Sequence, residues 1–174
     1  MGGNTFILCV LLLVVGVPYI EAGEVTSKAT EKKIEVVVEA MLYCQRCDNF
    51  GTWSLSGAKP IPSAKVSVTC KNHKGQVSYY KVFETDQNGY LYAQLEGFKM
   101  QHYILDHPLH SCYVKPVWSP LESCNLLSNV NYALNGAPLR YENKRLHASN
   151  YEAVIYAAGP LAFRPSDCSQ TTIH

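Results

Sequence analysis

An almost unbroken apolar run of 12 residues, Phe6 to Val17, is closed by Pro18 and followed by the small residues Ala22 and Gly23. Such a run is too short to span a bilayer and has the form of a secretory signal peptide, so residues 1–22 are expected to be removed. The remaining chain then meets an oxidising compartment. Of the seven cysteines, Cys9 departs with the leader, leaving Cys44, Cys47, Cys70, Cys112, Cys124 and Cys168. An even number of cysteines in that compartment implies a disulfide framework whose connectivity sequence alone leaves open. Gly2 does not mark a myristoyl anchor, because that motif wants Ser or Thr where the chain has Phe6.

Beyond the leader, residues 23–33 read as a flexible polar lead and residues 34–174 as one β-rich domain. No later segment is long and apolar enough to cross a membrane. The mature chain keeps all 15 Lys and Arg and loses one of the 14 acids, Glu21, for a formal charge of +2. That balance is too weak to suggest nucleic acid, so any polyanion would have to be held by a local patch. Arg140, Lys144, Arg145 and His147 form the best candidate, expected in an exposed loop after the Gly136-Ala137-Pro138 turn.

Strand signals recur along the chain. Ile34 to Tyr43 is rich in β-branched and aromatic residues, and Ala64 to Cys70 alternates cleanly, with Ala64, Val66, Val68 and Cys70 on one face and Lys65, Ser67 and Thr69 on the other. Gln76 to Thr85 and Tyr90 to Leu95 continue a meander through turns at Asn72 to Gly75 and Asp86 to Gly89. Asp48 to Pro62 reads as a long loop with a short extended piece around Trp53. Gly97 to Ser111 reads as irregular, and Cys112 to Trp118 as a strand in which Pro116 implies an edge or a bulge. A second irregular stretch follows, Ser119 to Asn150, then a last strand from Tyr151 to Ala158 and a tail from Gly159 to Cys168. About seven short strands without a long amphipathic helix predict an all-β fold, a small antiparallel barrel or sandwich stapled by three disulfides.

Candidate chemistry is sparse. Cys44-Gln45-Arg46-Cys47 has redox-pair spacing, but four further cysteines need partners and no βαβ context follows. His102, Asp106, His107 and His110 fall within nine residues and offer ligands that suit zinc or copper; solvated loop side chains are the plainer expectation, no metal site is assigned, and the segment is expected to be dispensable for folding. The acids are scattered singly, and neither Gly-x-Ser-x-Gly nor His-Glu-x-x-His occurs, so no catalytic residue and no cofactor are assigned. Tyr90 and Tyr92 share one strand face, and Trp53 and Trp118 suit either sugar stacking or the interior.

Several patterns then line up in order: Tyr43-Cys44-x-x-Cys47, Ile61-Pro62-Ser63-Ala64-Lys65-Val66-Ser67-Val68-Thr69-Cys70, Glu84-Thr85-Asp86-Gln87-Asn88-Gly89-Tyr90, Cys112 to Val117, Ser119-Pro120, Cys124-Asn125, and Gly159-Pro160-Leu161-Ala162-Phe163-Arg164-Pro165 leading to Cys168. The whole resembles the olive-pollen-allergen/extensin-like family of plant secreted proteins, and within it the cysteine-containing module at the C-terminus of proline-rich and non-classical arabinogalactan wall proteins. Ala40 and Ser63 stand where the family usually has Gly. The Pro- or His-rich tract of those relatives has no counterpart here, so the chain is expected to be the module alone. The resemblance implies a β-barrel or sandwich and the pairings Cys44 to Cys124, Cys47 to Cys168 and Cys70 to Cys112. It further implies a non-enzymatic cell-wall protein that binds pectin- or galactan-type polysaccharide or glycoprotein, and it permits oxidative cross-linking at Tyr90 and Tyr92. The alternative is a secreted signalling or ligand-carrying protein acting on a receptor in pollen, pistil or root.

Overall fold

A computed structural model describes residues 33–99, 107–147, 149 and 151–168; the leader, most of the polar lead, His102 and Asp106 lie outside these residues. The chain runs β1 (Lys33–Cys44), β2 (Lys59–Pro60), β3 (Lys65–Lys71), β4 (Val77–Glu84), β5 (Tyr90–Gln94), a one-turn helix α1 (Pro108–Ser111), β6 (Cys112–Trp118), β7 (Leu126–Leu127), β8 (Ala137–Pro138), β9 (Arg140–His147) and β10 (Tyr151–Arg164). The strands form two sheets. One is built on the central pair β1 and β10, with β5 and β2 along the free side of β1 and β9 and β7 along that of β10; the other has the order β4-β3-β6-β8. The sandwich of the sequence-based expectation is present, with three of its ten strands only two residues long.

One pair departs from the antiparallel expectation. β1 and β10 run parallel in register from Lys33 opposite Tyr151 to Cys44 opposite Phe163. A parallel pair cannot be closed by a hairpin, and here nearly the whole domain serves as the crossover. The core lies between the sheets. Alternation sends Val36, Val38, Ala40 and Leu42 of β1 inward to meet Val66 and Val68 of β3, Val114 of β6 and Leu91 and Ala93 of β5. The other face of β1 buries Val37 against Ala153 and Ile155 of β10.

Bulges explain two segments that the sequence pattern divides differently. Gly159-Pro160 reads as the end of a strand, yet β10 continues to Arg164: Glu39 faces Ala157 and Met41 faces Pro160, so Ala158 and Gly159 share Ala40. Gly159 takes φ +58°, the conformation such a bulge asks of glycine. Pro160 is tolerated because β9 pairs only as far as Ala157 and β7 begins at Phe163, leaving no ladder hydrogen bond for the missing N–H on that side. In β6, Lys65 faces Trp118 and Val66 faces Pro116, so Val117 is the extra residue of a bulge, one of the two settings, edge or bulge, that Pro116 implies. The extended piece of the Asp48 to Pro62 loop lies at Lys59–Pro60 rather than around Trp53, because Pro60 and Lys59 pair with Tyr43 and Cys44.

The turns follow their chemistry. Asn72 Oδ1 accepts from the N–H groups of Lys74 and Gln76, and Asp86 Oδ1 from those of Asn88 and Tyr90, each at 2.8 to 3.0 Å. Thr85 locks the second turn to the preceding loop, accepting from Ala64 N–H at 2.9 Å and donating to Ile61 O at 2.8 Å while buried. Three disulfides close the domain: Cys44–Cys124, Cys47–Cys168 and Cys70–Cys112. Cys70–Cys112 bridges directly opposed residues of β3 and β6 inside the core.

Candidate glycan-facing surfaces

Arg140, Lys144, Arg145 and His147 do not occupy a loop. They lie on β9, an edge strand of the larger sheet, and strand alternation divides them. Directly opposed residues share a face. Arg140 faces Ala157 and Lys144 faces Ile155, on the outer face of the sheet, whereas Arg145 faces Val154 and His147 faces Glu152, on the other. Arg145 pairs with Glu152 at 2.5 Å and approaches Tyr141 Oη at 3.4 Å, while His147 lies 3.7 Å from the same carboxylate. Hydrogen bonds from Arg145 to Tyr141 and Glu152 hold its guanidinium even more firmly charged than usual. The polar sequence of β9, exposed at every position but the half-buried Glu142, carries no apolar alternation, which is why its strand character is invisible without the β10 partner.

On the outer face of the larger sheet, β5 and β9 flank β1 and β10. A shallow groove of about 360 Å³ runs there, lined by Glu39, Met41, Tyr90, Arg140, Glu142 and Pro160 among others. Tyr90 and Tyr92 both point to this face, opposite Met41 and Glu39. Burial raises the Tyr90 phenol pKa well above its usual value, reinforced by a hydrogen bond to Glu39; Tyr92 is raised by burial and then by Tyr151, Glu39 and Glu35. Both phenols are therefore neutral and able to donate at physiological pH.

The outer face of the smaller sheet is different in charge. Lys65, Ser67, Thr69 and Lys71 of β3 point outward; β6 sets Trp118, Lys115 and Tyr113 beside them, and β4 adds Glu84, Val82 and Tyr80. Trp118 is half exposed, with Lys65 Nζ 5.4 Å from its ring centroid, and Lys71 Nζ lies 5.7 Å from the Tyr113 centroid. The Lys65, Ser67, Thr69 alternation is legible in sequence, but the register that brings Trp118 and Lys115 to it is not. Trp53 is also half exposed and meets Tyr132 edge-on at 4.7 Å. Neither tryptophan fills the interior.

Cys44 and Cys47 bond to different partners and form no dithiol pair. The residue between them that matters is Gln45, fully buried, whose amide Nε2 donates to the carbonyls of Asn49, Thr52 and Ser54. No sequence pattern marks it. His107 belongs to the fold: its Nδ1 accepts from Leu109 N–H, and its Nε2 lies 3.4 Å from the hydroxyl of buried Tyr156. Burial, then the neighbouring His110, lowers its pKa. Among the described residues no group of three or more His, Cys, Asp or Glu side chains is placed to hold a metal ion.

No family model matches the chain. It is 30% identical over 138 residues to non-classical arabinogalactan protein 30 of Arabidopsis thaliana, covering 77% of this chain and 54% of that one. It is 32% identical to proline-rich protein 1 and 30% identical to proline-rich protein 3 of the same plant, over 59% and 60% of this chain and about a third of each relative. The chain thus spans about half the length of the first relative and less of the others. The crystal structure of the major plantain pollen allergen Pla l 1 superposes with a TM-score of 0.51 at 20% identity, over 79% of this chain and 99% of that one, and shows the shared fold. Fold, disulfides and kinship define a plant extracellular β-sandwich module. These relatives and the shared fold both fit the pollen-allergen/extensin-like family that the sequence resembles.

Proposed function

We propose that this chain is a secreted, non-enzymatic protein of the plant cell wall or extracellular matrix that binds wall polysaccharide of pectin or galactan type, or wall glycoprotein, and contributes to wall organisation or growth. The observation that supports this reading best is the groove on the larger sheet, where a tyrosine ring, two carboxylates and a guanidinium border a floor of small and apolar groups. Sugar rings present apolar C–H faces and hydroxyl edges, and such a mixture of aromatic faces with donors and acceptors meets both. Arg140 and Lys144 serve the groove face; Arg145 and His147 take a sugar carboxylate only in exchange for Glu152. Exposed contacts of this kind are individually weak, so a polymer engaging several at once is the fitting ligand.

Binding of the disulfide-bonded domain to an array of pectin, galactan and glycoprotein fragments tests the reading. Retention should fall when Tyr90 is changed to Ala or Arg140 to Ser. Indifference of the array to the protein, together with capture of a receptor by it, would transfer the assignment to a signalling or ligand-carrying role.

A further inference from the structure

We propose that the outer face of the smaller sheet is a second glycan surface, one that takes a linear polyuronate, with Lys65, Lys71 and Lys115 holding its carboxylates and Trp118 and Tyr113 stacking on its rings. This deepens the wall-glycan reading and rests on it. The two sheets differ in what they offer. The larger sheet mixes Arg140 and Lys144 with Glu35, Glu39 and Glu142, so its field is nearly neutral. Among the described residues, the strands of the smaller sheet's outer face set three lysines against Glu84 alone. Among the described residues none of the three lysines forms an ion pair, so their charge is not spent within the fold.

Geometry specifies the ligand further. Lys65 and Lys71 stand six residues apart on β3, about 20 Å at the rise of a strand, and Lys115 lies between them on β6. Ser67 and Thr69, both buried, form a low floor between the cations. Lys65 and Lys71 each hold their ammonium over an aromatic ring, so charge and an apolar plane occur side by side twice. A sugar acid presents that same pair, a carboxylate beside a ring with an apolar face. An acidic peptide has no such repeating plane. At the Lys71 end the face opens into a cavity of about 570 Å³, lined by Lys71, His73, His110, Tyr113, Asn135 and Gly136, which gives a polymer room to continue past the sheet edge.

Retention of the disulfide-bonded protein on immobilised sodium polygalacturonate and on neutral galactan, across a salt series, tests this. Changing Lys65, Lys71 and Lys115 together to Gln should weaken polygalacturonate binding by about tenfold and leave galactan binding unchanged, whereas the same three changed to Arg should retain both. Trp118→Ala should weaken the polyuronate alone. Soluble polyglutamate should compete poorly; competition equal to that of polygalacturonate would reduce the surface to bare charge and overturn the proposal. Equal retention of the Gln variant and the unmodified protein, or loss with the Arg variant, would do the same. A protein that binds galactan but not polygalacturonate overturns this surface and leaves the wall-glycan reading standing; one that binds neither overturns both.

Discussion

Ser128 Oγ donates a 2.7 Å hydrogen bond to Gln45 Oε1, joining two buried side chains 83 positions apart. The same amide donates to the carbonyls of Asn49, Thr52 and Ser54, each at 3.0 Å, so one side chain fastens the loop after β1 to the segment after β7. Replacing Gln45 with Leu keeps the volume but leaves three part-buried hydrogen bonds to backbone carbonyls unmade and the buried Ser128 hydroxyl without this acceptor. Each unsatisfied group costs on the order of 1 kcal/mol or more, so a loss of about 3 kcal/mol is expected, lowering Tm by about 10 °C. Thermal unfolding gives the magnitude, and hydrogen exchange should show faster opening confined to residues 46–58.

The three disulfides should not be equally labile. They close separations of 80, 121 and 42 residues, for which chain entropy gives about 4 to 5 kcal/mol apiece, too narrow a spread to rank them. Access ranks them instead, since exchange needs a thiolate to reach a sulfur. Cys70 and Cys112 are both buried and Cys124 is buried beside Cys44, whereas Cys47 and Cys168 are both partly exposed. Mild reduction followed by alkylation and peptide mapping should find Cys47 and Cys168 modified first and Cys70 and Cys112 last.

What sequence makes legible here follows from how local each cause is. The alternation of Ala64 to Cys70, the turn at Asp86 to Gly89 and the edge or bulge at Pro116 each depend on a few neighbouring residues, and each is found in place. The strand character of Arg140 to His147 depends on a partner strand, and the continuation of β10 past Gly159 on the strand beside it, so both are misread from local pattern. The parallel pairing of β1 with β10 is the most remote relation of all. The candidate surfaces share this limit: Tyr90 and Tyr92 on one face follow from period two, whereas setting Arg140 near Glu39 requires the registers of β9, β10 and β1, and setting Lys65 over Trp118 requires that of β3 with β6.

Two glycines of the same φ should respond differently to a methyl group. Gly75 at +76° and Gly89 at +72° both sit in left-handed turns, but a Cβ at Gly75 meets nothing, while one at Gly89 would lie 2.8 Å from Leu42 O and 2.9 Å from Pro60 Cβ. Gly75→Ala carries only the backbone strain, about 1 to 2 kcal/mol. Gly89→Ala adds a collision with backbone that cannot swing aside, for an expected loss of about 2 to 4 kcal/mol. Chemical denaturation of the two variants side by side checks the difference; equal losses would show that the β1–β2 edge yields to the turn.

Stability should also carry a histidine signature on the acid side of neutrality. An unfolded histidine takes up its proton near 6.5, and in the fold His107 does so at lower pH because of burial against Tyr156 and the nearby His110. As pH falls through 6.5 the unfolded chain therefore binds the proton first, so stability present above that pH declines until the folded-state value is passed, and then levels. The neutral ring also accepts from Leu109 N–H, a bond that protonation at Nδ1 would remove. His107→Asn keeps an acceptor for that N–H and cannot titrate. Urea unfolding at pH 7.5, 6.0 and 5.0 should show a smaller decline for His107→Asn than for the unsubstituted protein. Identical declines would place the pH dependence elsewhere and reduce His107 to a cap and a packing surface for Tyr156.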